Sequence, residues 1–348
     1  MREVGGSAIR TGLAGFVVGA GVCYCVYRVV SKTRRNNGGV VAAAPPAAET
    51  ERERAPQGSR EAPGSSERHG VFPSPPQRDS ASLREGCVDL PNSSHDLKAC
   101  HIQNLIHLLE STEDPSVQEQ ILITLSNSAA FSVNQDLIRN LGGLSVVGKM
   151  LSVPDIDVKE KALNTLNNLS MNIKNQEVLK VYITRVCEEI DSSPLNSELQ
   201  LAGLRFLTNM SVTNNYHCMM TSSIPCFLHL LSKENERTQV QVLKVLVNLS
   251  ANTAMTKDLL NAQAPFLLSL LDGSINKEVL LRVLLFATNL TKNMKKEKNT
   301  TVSQYNEDSI FSVLWGNSTL CAQKLAALLY HHDTEIREQV AELIMQQG

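Results

Sequence analysis

The sequence predicts an all-α solenoid carried behind an N-terminal membrane anchor and a disordered tether, and three observations lead there. A leucine-rich segment centred on an asparagine recurs five times, at intervals of 41, 41, 39 and 41 residues. Aromatic residues are only 4% of the 348, and Trp315 is the single tryptophan, so the aromatic and β-branched runs typical of sandwiches and barrels are missing. An uncharged run near the N-terminus is followed by basic residues and then by a proline-rich stretch. Length alone would suggest about two ordinary domains. With 42% hydrophobic and 20% charged residues the chain can bury a sizeable core. A net charge of −2 argues against a dedicated nucleic-acid binder. The eight cysteines form no C-x-x-C pair, so neither a disulfide framework nor a zinc-finger spacing is visible.

The first element is the anchor, residues 1–35, with its span at about residues 11–30. Thr11 to Tyr27, TGLAGFVVGAGVCYCVY, holds 17 residues without a charge, and Leu13, Phe16, Val17, Val18, Val22, Tyr24, Val26 and Tyr27 form its apolar body. As a helix it reaches about 25 Å, the short end of what crosses a bilayer. Arg28, Lys32, Arg34 and Arg35 follow directly, and residues 1–35 carry six basic groups against one acid. The positive-inside rule then places the N-terminus across the membrane and everything after Arg28 in the cytosol. A cleaved signal peptide is the rival, but no small-x-small cleavage site follows the run closely. A short signal anchor of this kind points to the mitochondrial outer membrane, with the endoplasmic reticulum as the alternative. Gly15 and Gly19 make a G-x-x-x-G helix-dimer face, and Cys23 and Cys25 are palmitoylation candidates; small apolar residues in lipid is the blander reading of both.

Residues 36–95 hold eight of the 13 prolines, with Phe72 as their only aromatic residue. Without apolar periodicity this stretch buries too little surface to offset its ordering entropy, which predicts a tether. Charge divides along the same lines: +5 in the anchor, −2 in the tether and −5 in the remainder.

Residues 96–348 carry the repeat. Its segments read QILITLSNSA around Asn127, KALNTLNNLS around Asn168, AGLRFLTNMS around Asn209, QVLKVLVNLS around Asn248 and RVLLFATNLT around Asn289. Five residues before each asparagine stands Leu122, Leu163, Leu204, Leu243 or Leu284, and apolar residues recur two before and one after. That spacing makes one stripe of an amphipathic helix. Asp114-Pro115, Val153-Pro154-Asp155 and Ser193-Pro194 predict the starts of the first three long helices, with Asp or Ser as the cap. Between them lie shorter elements broken at Gly142-Gly143 and at Pro265. Three helices in about 41 residues, the third longest, is the armadillo pattern. One unit cannot bury its stripe alone, so about six units are expected to stack into a right-handed superhelix. Asp96 to Ser111 is the partial opening unit, and the C-terminal CAQKLAALLYHHDTEIREQVAELIMQQ closes the stack without an aligned asparagine.

In such a solenoid the third helices line a groove, and Asn127, Asn168, Asn209, Asn248 and Asn289 are candidates for a ladder that hydrogen-bonds an extended ligand. The competing reading has them satisfy backbone groups within their own repeats. Where importin-type receptors carry tryptophans, four residues earlier, this chain has Ile123, Asn164, Arg205, Lys244 and Leu285, so nuclear-signal binding is not expected. Arg205 and Lys244 predict positive charge midway along the groove. None of the eight histidines pairs with a Cys or carboxylate in a recognisable motif, and Cys226 with His229 lacks further metal ligands. There is no Walker loop and no G-x-S-x-G. The expectation is a non-enzyme without cofactor, metal, small-molecule substrate or nucleic acid. Lys292, Lys295, Lys296 and Lys298 read as a solvated basic loop. Asn168, Asn209, Asn248 and Asn289 are formal N-x-[ST] sequons, but in cytosolic helices they are not expected to carry glycan.

The stretch LLESTEDPSVQEQILITLSNSAAFSVNQDLIRNLGG, with KEKALNTLNNLS, SELQLAGLRFLTNMSVTN, CAQKLAALLYHHDTE and the anchor's GAGVCYCVYR, resembles the armadillo repeat-containing (Armcx) family of mitochondrial outer-membrane proteins. The resemblance covers the anchor and nearly all of residues 96–348, not the tether. It implies a single-pass anchor with the armadillo domain in the cytosol, engaging the motor–adaptor machinery that moves and shapes mitochondria, and roles in growth and survival. It brings no catalytic residues. Two functions stay open: a membrane-anchored scaffold recruiting protein partners at the mitochondrial surface, or a regulator that binds and restrains a transcription factor, from the endoplasmic reticulum or in soluble or nuclear form.

Overall fold

A computed structural model describes residues 94–233, 235–296, 305–316 and 318–347. The predicted anchor, its expected Gly15–Gly19 face, its flanking basic residues and residues 36–93 of the predicted tether lie outside the described residues. Among the described residues no helix is long and apolar enough to cross a membrane.

Fourteen α-helices are described, α1 (Ser94–Ser111), α2 (Pro115–Ala129), α3 (Ser132–Asn140), α4 (Gly143–Lys149), α5 (Ile156–Ser170), α6 (Ile173–Leu179), α7 (Ile183–Ser192), α8 (Glu198–Met210), α9 (Ile224–Lys233), α10 (Glu236–Ser250), α11 (Thr256–Asn261), α12 (Lys277–Lys296), α13 (Ser318–Leu328) and α14 (Thr334–Gln347). Short 3₁₀ segments fill the gaps, the longest at Asn214–Ser223, and a π-helical turn covers Ser312–Gly316. The one β-type pairing among the described residues is an isolated bridge between Gln263 and Ser309. The helices form an opening pair, α1 and α2, and then five three-element units ending on α5, α8, α10, α12 and α14. Each long helix packs on the next, α2 on α5, α5 on α8, and so on to α14.

Side-chain caps start the long helices. Asp114 accepts from Ser116 N (2.9 Å), with Pro115 in the first turn, and Asp155 accepts from Val158 N (2.9 Å). Each such cap contributes about 1 kcal/mol. The third start differs from the sequence expectation. Pro194 forces Ser193 into the extended region (ψ 149°), which ends α7 and does not begin α8. The chain then turns through Asn196 (φ 60°), and Ser197 caps α8 through Gln200 N (3.2 Å). The turn is put to use, since Asn196 Oδ1 accepts from Asn235 N (3.1 Å) and Thr238 Oγ1 (3.2 Å) at the start of α10. Gly142 supplies the break between α3 and α4, at φ 76°, where an L side chain is strained.

The core is one continuous cluster running from Ile102 to Leu343. All five repeat leucines, Leu122, Leu163, Leu204, Leu243 and Leu284, are fully buried in it. Neighbouring units approach closely: a methyl on Gly148 would overlap the Tyr182 ring of the following unit.

A polar seam runs beside this apolar one. Asn168 Nδ2 donates to Ser126 O (3.0 Å), Asn209 Nδ2 to Asn167 O (3.0 Å), Asn248 Nδ2 to Thr208 O (3.2 Å) and Asn289 Nδ2 to Val247 O (3.4 Å). Each bond reaches back one unit, to the carbonyl just before the preceding asparagine. Ser170, Ser211 and Ser250, the third residues of three formal sequons, accept a second bond from the next unit's asparagine at 3.1, 2.9 and 3.1 Å. The sequon pattern therefore has a structural origin: each serine hydroxyl donates within its own helix and accepts from its neighbour.

A second ladder, absent from the sequence reading, lies eight residues after each of the first three asparagines. Gln135 Nε2 donates to Ala129 O (2.9 Å) and Asn168 O (3.1 Å), and Gln176 Nε2 to Ser170 O (2.9 Å) and Asn209 O (3.2 Å). His217 takes the third place. Its Nε2 bonds Ser211 O (2.7 Å), and its Nδ1 faces Asn252 Nδ2 (3.2 Å). Asn252 Oδ1 is committed to Ala254 N (3.1 Å), so the amide nitrogen must donate to His217 and the imidazole is the neutral Nε2–H tautomer. Burial draws the His217 pKa below its usual value, opposed by the bond to Ser211 O.

Two predictions follow from the seams. Asn209→Ala strands buried acceptors and should cost about 1–3 kcal/mol in chemical denaturation, whereas Asn127→Ala, at an exposed position, should stay within about 0.5 kcal/mol. Because the folded state holds His217 neutral, the unfolded chain binds more protons below pH 6.5, so this contribution is present above that pH and fades as pH falls through the lowered folded pKa. His217→Gln, which copies Gln135 and Gln176, should match the parent at pH 7.5 and lose less stability on going to pH 5, as read from paired thermal melts.

Candidate functional site

The long helices stand side by side, so residues sharing a helical phase form rows across the units. At about 100° per residue, positions eleven, seven and four before each asparagine lie within about 40° of it, opposite the buried leucines. The row at minus eleven, Ser116, Asp157, Glu198, Arg237 and Glu278, is exposed throughout. At minus seven, Gln120 is exposed, Lys161, Gln241 and Arg282 are half-buried and Ala202 is buried. At minus four, Ile123 is exposed, Asn164, Arg205 and Leu285 are half-buried and Lys244 is buried. In the asparagine row itself only Asn127 is exposed; Asn168 is half-buried, and Asn209, Asn248 and Asn289 retain 2%, 4% and 9% of their surface. The groove is therefore open along the N-terminal ends of the long helices and shut at their C-terminal ends.

This gradient separates the predicted site residues. The amide donors of Asn168, Asn209, Asn248 and Asn289 are spent on the preceding unit, a different acceptor from the own-repeat groups weighed in the sequence. Asn127 is exposed because only α1 precedes its unit. The accessible strip is instead made of the row at minus eleven with the exposed and half-buried members of the rows at minus seven and minus four; Ala202 and Lys244, the latter expected to face the groove, are buried.

The strip is charged, and most of its charges are paired. Lys161 meets Glu160 at 2.9 Å, and Asn164 Nδ2 donates to the same carboxylate (3.4 Å). Arg282 meets Glu278 at 3.2 Å. Across α8 and α10, Nη1 and Nη2 of Arg237 donate to Glu198, at 2.5 and 3.1 Å, while Arg205 lies 3.8 Å from the same carboxylate. The Arg237 hydrogen bonds, with the charges of Arg237, Arg205 and Lys161, hold the Glu198 pKa low against a smaller burial effect. Burial and the charge of Arg237 draw the Arg205 pKa below its usual value, with Glu198 and Glu160 opposing. At the opening end, Glu119, Asp155 and Asp157 bring carboxylate oxygens within 4.8 Å of one another. Asp155 is engaged as the α5 cap, so the group is accounted for by helix initiation.

Two other sequence features resolve differently. The lysine run is the last part of α12 as far as Lys296, not a loop, and Lys292 pairs with Glu342 of α14 (2.5 Å). Lys295 and Lys296 lie in the last turn, where cations suit the helix dipole, and Lys298 is outside the described residues. The Cys226 thiol is pushed up to about 12 by burial first and then by a hydrogen bond to Asp191, which keeps it protonated. His229 lines a surface cavity of about 530 Å³ with Pro225, Leu228 and Phe266.

Solved structures with this architecture include designed proteins. The designed armadillo repeat protein YIII(Dq)4CqI superimposes with a TM-score of 0.59 at 16% identity, over 71% of this chain and all of that one. The designed armadillo repeat protein YIII(Dq.V1)4CPAF, solved in complex with the peptide (KR)4, matches at 0.58 and 14% identity over 71% and 99% of the two chains. A further engineered protein matches at 0.58 and 18% identity, over 71% and 96%. These likenesses establish the fold. A family model described as armadillo-like matches residues 97–315, well over half the sequence, and with the stacked units and their shared seam it settles the matter: the chain belongs to the armadillo-like family.

Proposed function

We propose that this chain is a membrane-anchored, non-enzymatic adaptor whose cytosolic armadillo domain gathers protein partners at the mitochondrial surface, in the transport and shaping of mitochondria. The observation that carries the binding half is the open strip of three side-chain rows crossing consecutive units. A chain in extended conformation lies along such a strip and offers alternate side chains to successive rows. The peptide seated on a designed armadillo protein supports an occupant of that kind. The uncharged run Thr11 to Tyr27, backed by Arg28, Lys32, Arg34 and Arg35, supports the anchor and the cytosolic orientation.

Fractionation and labelling test the two halves separately. The full chain should resist carbonate extraction from mitochondria, a version lacking residues 1–35 should not, and protease added to intact organelles should remove the armadillo domain. Extraction of the full chain, or protection of its C-terminus, overturns the topology. Ile123→Ala, Asn164→Ala and Leu285→Ala together should remove most partners found by proximity labelling with the full chain, at unchanged helical content. An unchanged partner set overturns the groove.

A further inference from the structure

The joints between units are not equally tight. Between the units ending on α5 and α8 the packing leaves no room even for a methyl on Gly148, which meets the Tyr182 ring. The joint between the units ending on α10 and α12 is different. Its later unit has the 3₁₀ segment Pro265–Leu270 where an α-helix would stand. Beside that segment lies the cavity of about 530 Å³, walled by Pro225, Leu228 and His229 on one side and by Ala262, Pro265 and Phe266 on the other. A smaller hollow of about 220 Å³, sharing Pro225 and Ala262, continues it towards Ile224 and Asp258. Thr256 Oγ1, buried at the start of α11, has no hydrogen-bond partner.

Across this loose joint the short elements are tied by His217 and Asn252. Asn252 Nδ2 donates to His217 Nδ1 (3.2 Å), His217 Nε2 donates to Ser211 O (2.7 Å), and Asn252 Oδ1 accepts from Ala254 N (3.1 Å). The imidazole is buried, with 1% of its residue surface exposed. A proton added at Nδ1 takes up the lone pair that Asn252 uses and sets two donors facing each other. Turning the Asn252 amide over would give the imidazolium an acceptor but would take one from Ala254 N. Either way the tie loses a bond. Gln135 and Gln176, in the same place at earlier joints, donate to the next unit through amides that do not titrate.

We infer that this joint is a hinge of the solenoid, latched by His217 and Asn252 and released when His217 takes up a proton. In a stack where each unit contacts only its neighbours, one weakened joint lets the parts on either side move as blocks. The blocks here are α1–α10 and α11–α14, so opening changes the spacing of α10 and α12 along the groove. Charged groups on the surrounding elements are engaged with one another or lie at the surface. Glu177 of α6 bonds Tyr216 and Lys180, Arg185 of α7 pairs with Glu188 and Glu189, and Asp191 lies beside the Cys226 thiol. Burial keeps the Cys187 thiol of α7 protonated. Lys233 and His229 of α9, and Lys257 and Asp258 of α11, are exposed. Burial holds the His217 pKa down and the Ser211 carbonyl opposes it, so the latch is closed near neutrality and opens as pH falls through that lowered value.

Hydrogen exchange read by mass spectrometry tests this on the full chain in detergent micelles at pH 7.5 and 5.5, with labelling times scaled to the intrinsic rates. At the lower pH, one unit below the ordinary histidine pKa, protection of residues 214–223 and 252–270 should fall by about three- to tenfold, while α2 and α5 keep theirs. His217→Gln retains an acceptor for Asn252 and should abolish the acid response, whereas His229→Gln, in the cavity wall, should leave it intact. Asn252→Ala should speed exchange at the joint already at pH 7.5, with melting temperatures confirming that each variant is folded. No acid loss at the joint in the parent chain, loss spread evenly over all units, or the same loss in His217→Gln overturns the inference. Should His217→Gln not fold, the parent profile and Asn252→Ala decide, and unchanged exchange in Asn252→Ala at pH 7.5 overturns the latch.

Discussion

The structure depends on satisfying the C-terminal carbonyls of the long helices inside the stack. A helix leaves its last carbonyls without intrahelical partners, and in this fold those ends lie between units, away from water. Each asparagine of the next unit supplies one donor, and the glutamine or histidine that opens the following short element supplies another. Leucine burial draws the units together without direction, while these bonds fix the register in which they meet. A slip of one residue would bring apolar surface into contact much as before but would strand the acceptors.

The shape of the groove follows from that requirement. Donors and acceptors lie at the C-terminal ends of the long helices, so these ends close tightly and the asparagine row disappears from the surface. The N-terminal ends carry less of this duty, met across units at the start of α10 by Asn196. Their caps are met locally, by Asp114, Asp155, Ser197 and Asn235, and the rows above them stay open for charged side chains. One edge of the stack is therefore structural and the other is available for recognition, although both are built from the same helices.

Pairing of charge along the open edge is also a matter of neighbouring units. Lys161 and Arg282 find their carboxylates within their own helices, whereas Arg237 reaches across to Glu198, which Arg205 also approaches. Surface ion pairs of this kind contribute little to stability, with a median of about 0–1 kcal/mol, so their arrangement bears on recognition more than on folding.

By itself the sequence determined the helical class, the unit length, the buried leucines and the approximate caps, because 3.6-residue periodicity and cap chemistry are local and repeat with the unit. It also picked out the asparagines and the cations Arg205 and Lys244. Only the tertiary structure decided what those residues do. An asparagine on a groove-facing stripe has the same local pattern whether it meets a ligand or the preceding helix, and the choice rests on how closely α5, α8, α10 and α12 approach. The ladder of Gln135, Gln176 and His217 repeats at 41 residues, yet its residue types differ enough to hide it from an apolar search. Ser193-Pro194 misled for a related reason: proline suits the first turn of a helix and equally the end of the one before, and the turn through Asn196 chose between them. Hydrogen-bond partners some 40 residues away belong to the packed stack, and local pattern does not specify them.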